Sequence, residues 1–131
     1  MRFYSTNNKS HFVDARQAVL SGLAPDGGLY MPEKIPQLSA EFFNALSEKS
    51  LQEIGFAVAR PYLERVVADD ELKRIISEAL DFIIPLVKVP LLAKEGLGEV
   101  FALELFHGLT LAFKDVGARF MARLMGYFVR D

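Results

Sequence analysis

Apolar residues recur at helical spacing in five stretches of the chain and form short alternating or continuous runs in three others. Phe3 and Tyr4, within residues 2–6, predict a first strand, being aromatic and followed by the β-branched Thr6. Asp14 is placed to cap a helix over residues 15–20, with Gly22 just past its end and Val19, Leu20 and Leu23 facing a core. Residues 24–32 carry turn chemistry: Pro25 presets φ, Gly27 and Gly28 allow φ > 0, and Leu29 to Met31 then read as extended until Pro32. Ser39 is a credible cap for a helix from Glu41 to about Lys49, with Phe42, Phe43 and Leu46 as its stripe. A second pattern holds Leu51, Ile54 and Val58, and Pro61 is expected to kink or end it. Asp69, Asp70 and Glu71 complement the dipole of a third helix, whose stripe is Leu72, Ile75, Ile76, Ala79 and Leu80. These three segments predict a small helical bundle with their stripes in its core.

Pro85 and Pro90 bracket a change of pattern. Leu91 and Leu92 follow, then a Gly96-Leu97-Gly98 turn, then a strand within residues 100–105. A turn at residues 106–110 leads to a long helix with Val116, Phe120, Leu124 and Phe128 along one face. The expected division is residues 1–84 and residues 85–131. The last helix runs to Arg130-Asp131 without a Gly or Pro stop, so the end reads as a cut through a longer protein. Its apolar face is expected to be exposed and to promote self-association.

Composition narrows the function classes. With 131 residues, 51% hydrophobic and 24% charged, the chain can bury a real core. Fifteen basic against 17 acidic residues leave a net charge of −2, which offers no footprint for nucleic acid. No apolar run approaches the length of about 18 residues that a membrane-crossing helix needs, and polar residues from Ser5 to Lys9 argue against a signal peptide. There is no cysteine, so disulfides and thiolate chemistry are excluded and a cytoplasmic location is the default. His11 and His107 stand far apart with no zinc-ligand spacing, and no metal site is expected.

Candidate chemistry concentrates at residues 104–117. Lys114 sits between apolar residues after a turn holding His107, Gly108 and Thr110. With Thr110 as the helix cap, Lys114 falls in the first turns, where the dipole disfavours a cation. Burial beside Leu111, Phe113 and Val116 would disfavour the charge further, leaving the nucleophilic amine that condensation with a carbonyl cofactor requires. Gly108 would let backbone approach a ligand, and the helix start would suit a phosphate. The plainer alternatives stand beside this: Lys114-Asp115 as an exposed pair, His107 as a hydrogen-bonded structural histidine, Thr110 as an ordinary cap.

The run from Glu104 to Met121, with Phe113-Lys114-Asp115 at its centre, resembles the signature of threonine synthases. Tyr4-Ser5-Thr6 and the run from Gly22 to Pro32 are similar to that family's opening. The resemblance spans nearly the whole chain but only about the first third of a typical member, whose Pro in the turn is here Leu109. It implies an α/β protein: a mainly helical N-terminal domain with short strands, then the first strand-helix unit of a truncated pyridoxal-phosphate fold-type II catalytic domain. It further implies pyridoxal 5'-phosphate held covalently by Lys114, with Phe113 flanking it and His107 and Thr110 contacting substrate or cofactor. The implied reaction takes O-phospho-L-homoserine and water to L-threonine and phosphate, a carbon-oxygen lyase step in threonine biosynthesis. The groups that hold the cofactor's phosphate and pyridine nitrogen are implied to lie beyond Asp131, so these residues alone are expected to be inactive. The rival readings are another fold-type II lyase of the same cofactor class and a non-catalytic helical interaction module.

Overall fold

The computed structural model describes residues 1–90 and 98–130 of the chain. The expected Leu91-Leu92 segment and most of the Gly96-Leu97-Gly98 turn lie outside the described residues.

The N-terminal third is a three-stranded antiparallel sheet with one short helix. β1 (Phe3–Ser5) lies between β2 (Phe12–Val13) and β3 (Tyr30–Pro32), with Phe3 opposite Val13 on one side and Pro32 on the other. Pro32 is tolerated because β3 is an edge strand that needs no further donor there. Helix α1 (Ala15–Ser21) is capped by Asp14, whose side chain accepts from the N–H of Gln17, and ends on Gly22 with φ of 69°. Of the three residues expected to face a core, only Val19 packs against it, while Leu20 and Leu23 are exposed. α1 is short enough that its buried stripe ends with Val19.

The middle of the chain is helical. Ser39 caps α2 (Ala40–Asn44) through the N–H of Phe42, but α2 stops after five residues and a 3-10 turn (Leu46–Glu48) follows. Its expected stripe is not in the core, since Phe43 and Leu46 are exposed. Ser50 and Glu53 form a reciprocal capping box at the start of α3 (Leu51–Leu63), satisfying two otherwise free backbone donors. α3 runs through Pro61 instead of ending at it. Proline so close to the helix end removes one ladder bond, and Leu63 beyond it is buried, so packing outweighs the loss. α4 (Asp69–Ala79) carries the three acids in its first turn and buries Leu72, Ile75, Ile76 and Ala79. Each of these larger side chains contributes roughly 1.5–3 kcal/mol by leaving water.

β4 (Leu86–Lys88) was not legible as a strand, and pairs antiparallel with β5 (Phe101–Leu103), Leu86 opposite Leu103. α5 (Asp115–Phe128) then returns to the N-terminal part. Leu124 and Phe128 are buried with Ala15, Leu63, Leu72 and Ile76 in one core, and Phe120 packs against it. Leu124, Phe128 and Phe120 are covered by α4 and α1, which corrects the reading of an unpartnered helix for that part of the face, while Met121 and Met125 beside them are exposed. Arg16 donates to the carbonyl of Phe128 at 2.8 Å, tying the first helix to the end of the last. Among the described residues, the α/β architecture has five α-helices and five short strands. No helix among them is long and apolar enough to cross a membrane.

Candidate functional site

The segment between β5 and α5 is a closed turn built on one carboxylate. Asp115, the first residue of α5, is 4% exposed and is the one buried charged side chain among the described residues. Its Oδ1 accepts the Thr110 hydroxyl at 2.6 Å and its Oδ2 accepts the Thr110 N–H at 2.8 Å. The N–H of Leu111 donates to the carbonyl of Gly108 at 3.1 Å, and that of Asp115 to the carbonyl of Ala112 at 3.0 Å. The Thr110 hydroxyl, then its N–H, and the more distant Arg119 cation hold the Asp115 carboxyl below its ordinary value by stabilising the charged form.

Gly108 is buried against this carboxylate. A Cβ built on it would lie 2.3 Å from Asp115 Oδ2 and 2.7 Å from Asp115 Cβ, so no side chain fits. The close approach anticipated for a ligand is made instead by Asp115. Leu111 adopts φ of 55°, the one left-handed non-glycine residue among those described, and such strain tends to gather at functional turns.

Thr110 is not the helix cap. Lys114 occupies that position with helical dihedrals and no side-chain capping bond, and the Thr110 hydroxyl is committed to Asp115 five residues on. Lys114 itself is exposed. Leu111 and Phe113 are 75% and 66% exposed, so the neighbours expected to strip water from the amine do not do so within this chain. The turn points them away from the core, whose α5 stripe begins only beyond Val116. His107 stands near the start of the turn. Its Nε2 is 2.7 Å from Glu104 Oε2, and its ring rests on Phe106 with centroids 4.8 Å apart.

A cleft of about 460 Å³ opens beside the turn, lined by Asp81, Phe82, His107, Gly108, Leu109, Arg119 and Arg123. Arg119 anchors it by donating to the carbonyl of Glu78 at 2.8 Å and to the Asp81 carboxylate, with its guanidinium 5.4 Å from the Phe82 ring centre. Arg123 pairs with Glu78 at 3.2 Å. His107 thus reaches the cleft, whereas Lys114, Phe113 and Thr110 are not among its lining residues. No group of three or more potential metal ligands occurs among the described residues.

Sequence reasoning treated Asp115 only as half of an exposed pair. The available signal was an acid in the first helical turn, where the dipole favours it. A second carboxylate went unread as well. Asp26 accepts the buried Ser5 hydroxyl at 2.6 Å and the Gly28 N–H at 2.9 Å, fastening β1 to the 24–28 turn. Gly28 serves there by close approach and not by positive φ: its Cβ would lie 2.2 Å from Ser5 Oγ.

The comparisons with known proteins agree with one another. A family model described as threonine synthase N terminus matches residues 2–80. Threonine synthase of Schizosaccharomyces pombe is 40% identical over 129 residues, covering 97% of this chain and 24% of that protein. The crystal structure of pyridoxal-phosphate-bound threonine synthase from Brucella melitensis superposes with a TM-score of 0.84 at 37% identity, over 99% of this chain and 28% of that one. Threonine synthase from yeast gives 0.86 at 35% identity, over 98% and 26%. The chain spans about a quarter of the length of these relatives. On the strength of a family match over more than half its residues, the chain belongs to the threonine synthase family, at that family's N terminus.

Proposed function

We propose that this chain is the N-terminal part of a threonine synthase, which converts O-phospho-L-homoserine and water to L-threonine and phosphate. The observation that carries this reading is the placement of Lys114, an exposed primary amine on a hydrogen-bonded turn at the start of α5. The residues present fit one end of pyridoxal 5'-phosphate: an accessible amine for its aldehyde and the exposed Phe113 ring to lie against a planar heterocycle. When bound, pyridoxal phosphate supplies an electron sink for carbanions formed beside its carbonyl carbon.

The chain's own contribution is attachment and proton transfer. Lys114 Nζ would hold the group and would take and return protons on substrate carbons. His107, steadied by Glu104, is placed at the cleft to contact substrate, and Thr110 to fix the turn beside it. The breaking of a carbon-oxygen bond at a phosphate ester, the cytoplasmic location and the status of residues 85–131 as the opening of a fold-type II catalytic domain belong to the same proposal. Residues 1–84 then form the family's N-terminal domain, consistent with a family match that stops at residue 80. Water exclusion around Lys114 must come from segments that the longer relatives possess, because Leu111 and Phe113 leave it open here.

Borohydride reduction of the longer polypeptide with pyridoxal phosphate, followed by peptide mapping, tests the reading. Lys114 should carry the label, and phosphate release from O-phospho-L-homoserine should vanish in Lys114→Ala. Label on another lysine, or full turnover by Lys114→Ala, would overturn it. The 131-residue chain by itself should give no threonine.

A further inference from the structure

We infer that Asp115 is the positioning residue for Lys114: its buried carboxylate clamps the 108–115 turn and so sets the direction in which the neighbouring amine is presented. The inference rests on the proposed role of Lys114 and goes beyond it.

Three observations converge on Asp115. It is buried with no ion-pair partner among the described residues, an arrangement that costs free energy unless its hydrogen bonds are well made. Both oxygens are engaged by one residue, Thr110, through its hydroxyl and its N–H. A third side is taken by the buried backbone of Gly108, so near that an added Cβ would lie 2.3 Å from Oδ2. A carboxylate so enclosed is unavailable to a substrate. It can act only on what its own backbone carries, and the residue immediately before it is Lys114. The outer side chains of the turn do nothing to hold it, since Leu109 and Leu111 are 85% and 75% exposed. The Asp115 clamp, with the Gly108–Leu111 backbone bond inside it, is therefore what gives the amine a fixed origin.

The test uses the full polypeptide with pyridoxal phosphate, whose aldehyde condenses with the Lys114 amine by forming a carbon-nitrogen double bond and releasing one water. The visible circular dichroism of the bound chromophore reports how rigidly and in what orientation it is held, which a loss of stability alone would not move while the protein stays folded. Asp115→Asn keeps the shape but loses the charge and one acceptor, so the band should weaken or change sign and binding should fall about tenfold. Thr110→Val, which keeps the N–H bond, should give a smaller change in the same direction, and Thr110→Ser should restore the native band. If Asp115→Asn fails to fold, the Thr110 pair decides the matter. Unchanged dichroism and affinity in Asp115→Asn, or in Thr110→Val where that is the deciding variant, with borohydride still labelling Lys114, would overturn the inference and leave the proposed function standing. An unmodified wild-type Lys114 would overturn both.

Discussion

Two carboxylates, each beside a glycine that admits no Cβ without a clash, fasten two turns of this molecule, and they differ in what surrounds them. Asp26 takes a hydroxyl and an N–H from Ser5 and Gly28, and Asp115 takes the same pair of donors from Thr110. Each has a glycine where a side chain would collide, Gly28 with Ser5 and Gly108 with Asp115. The first lock ties the end of a strand to an exposed turn: Ser5 in β1 is opposite Tyr30, Asp26 itself is exposed, and the N–H of Thr6 reaches the carbonyl of Leu29 at 2.9 Å. The second is fastened on one side by α5, and on the other it presents Leu109, Leu111 and Phe113 outward. One hydrogen-bonding device thus serves as a rivet between a strand and an exposed turn, and as a buried pedestal under a turn whose outer side chains are open. Family resemblance alone would not separate these uses, because both segments match threonine synthases; the surroundings do.

The largest expected difference between the two comes from filling the glycines. Gly28→Ala meets the backbone nitrogen of Asn7 at 2.9 Å as well as Ser5 Oγ, atoms that cannot step aside, and should cost about 3 kcal/mol in urea unfolding. Gly108→Ala meets Asp115 Oδ2 and Cγ, which can move, and Asp115 Cβ at 2.7 Å, which cannot, and should cost about 1–2 kcal/mol; combining it with Asp115→Ala should remove the part due to the carboxylate and leave the Cβ contact. Equal losses at the two sites would remove the distinction between rivet and pedestal.

A smaller effect of opposite sign should appear at Leu111. Its φ of 55° is costly for a side chain with a Cβ, so Leu111→Gly should gain up to about 1 kcal/mol in thermal unfolding. If the pedestal reading holds, that variant should bind pyridoxal phosphate less well than the wild type despite its stability.

The smallest effect is in acid. Asp26 and Asp115 both have carboxyls held below 3.8, chiefly by the Ser5 and the Thr110 hydroxyl respectively. Depressed carboxyl values mean that the stabilisation is fully present above the unfolded-state value and fades as pH falls through the folded one. The urea midpoint should therefore drop as pH is lowered from about 5 to about 2, and Asp26→Asn and Asp115→Asn should each flatten that slope. A slope unchanged in both variants would mean that other carboxylates, such as Glu33 paired with Arg2, govern the acid limb.

Much of the fold was legible because its signals are local. Asp14 and Ser39 cap the helices they precede, the acids at Asp69 to Glu71 open α4, and the α4 and α5 stripes reach the core at Ile75, Ile76, Leu124 and Phe128. What could not be read depends on partners distant in the chain. The α3 helix passes Pro61 because α4 supports it, and β4 is three residues long with every side chain exposed, so its own pattern carries no burial signal. At the candidate site, the residue types were readable and their relations were not. Thr110 was given the cap because Ser and Thr favour that position, but Asp115 competes successfully for its hydroxyl, and only the folded turn shows that. Lys114 is exposed in this stretch of chain, and its burial calls for atoms from the longer polypeptide.

The bond from Arg16 to the carbonyl of Phe128 joins residues 112 positions apart, and Ala15 shares one hydrophobic core with Leu124 and Phe128. A ribosome releases the first helix long before α5, so this hydrophobic interior stays half open until residue 128 has emerged. Delayed closure is the consequence of stitching the beginning of a polypeptide to a point so far downstream.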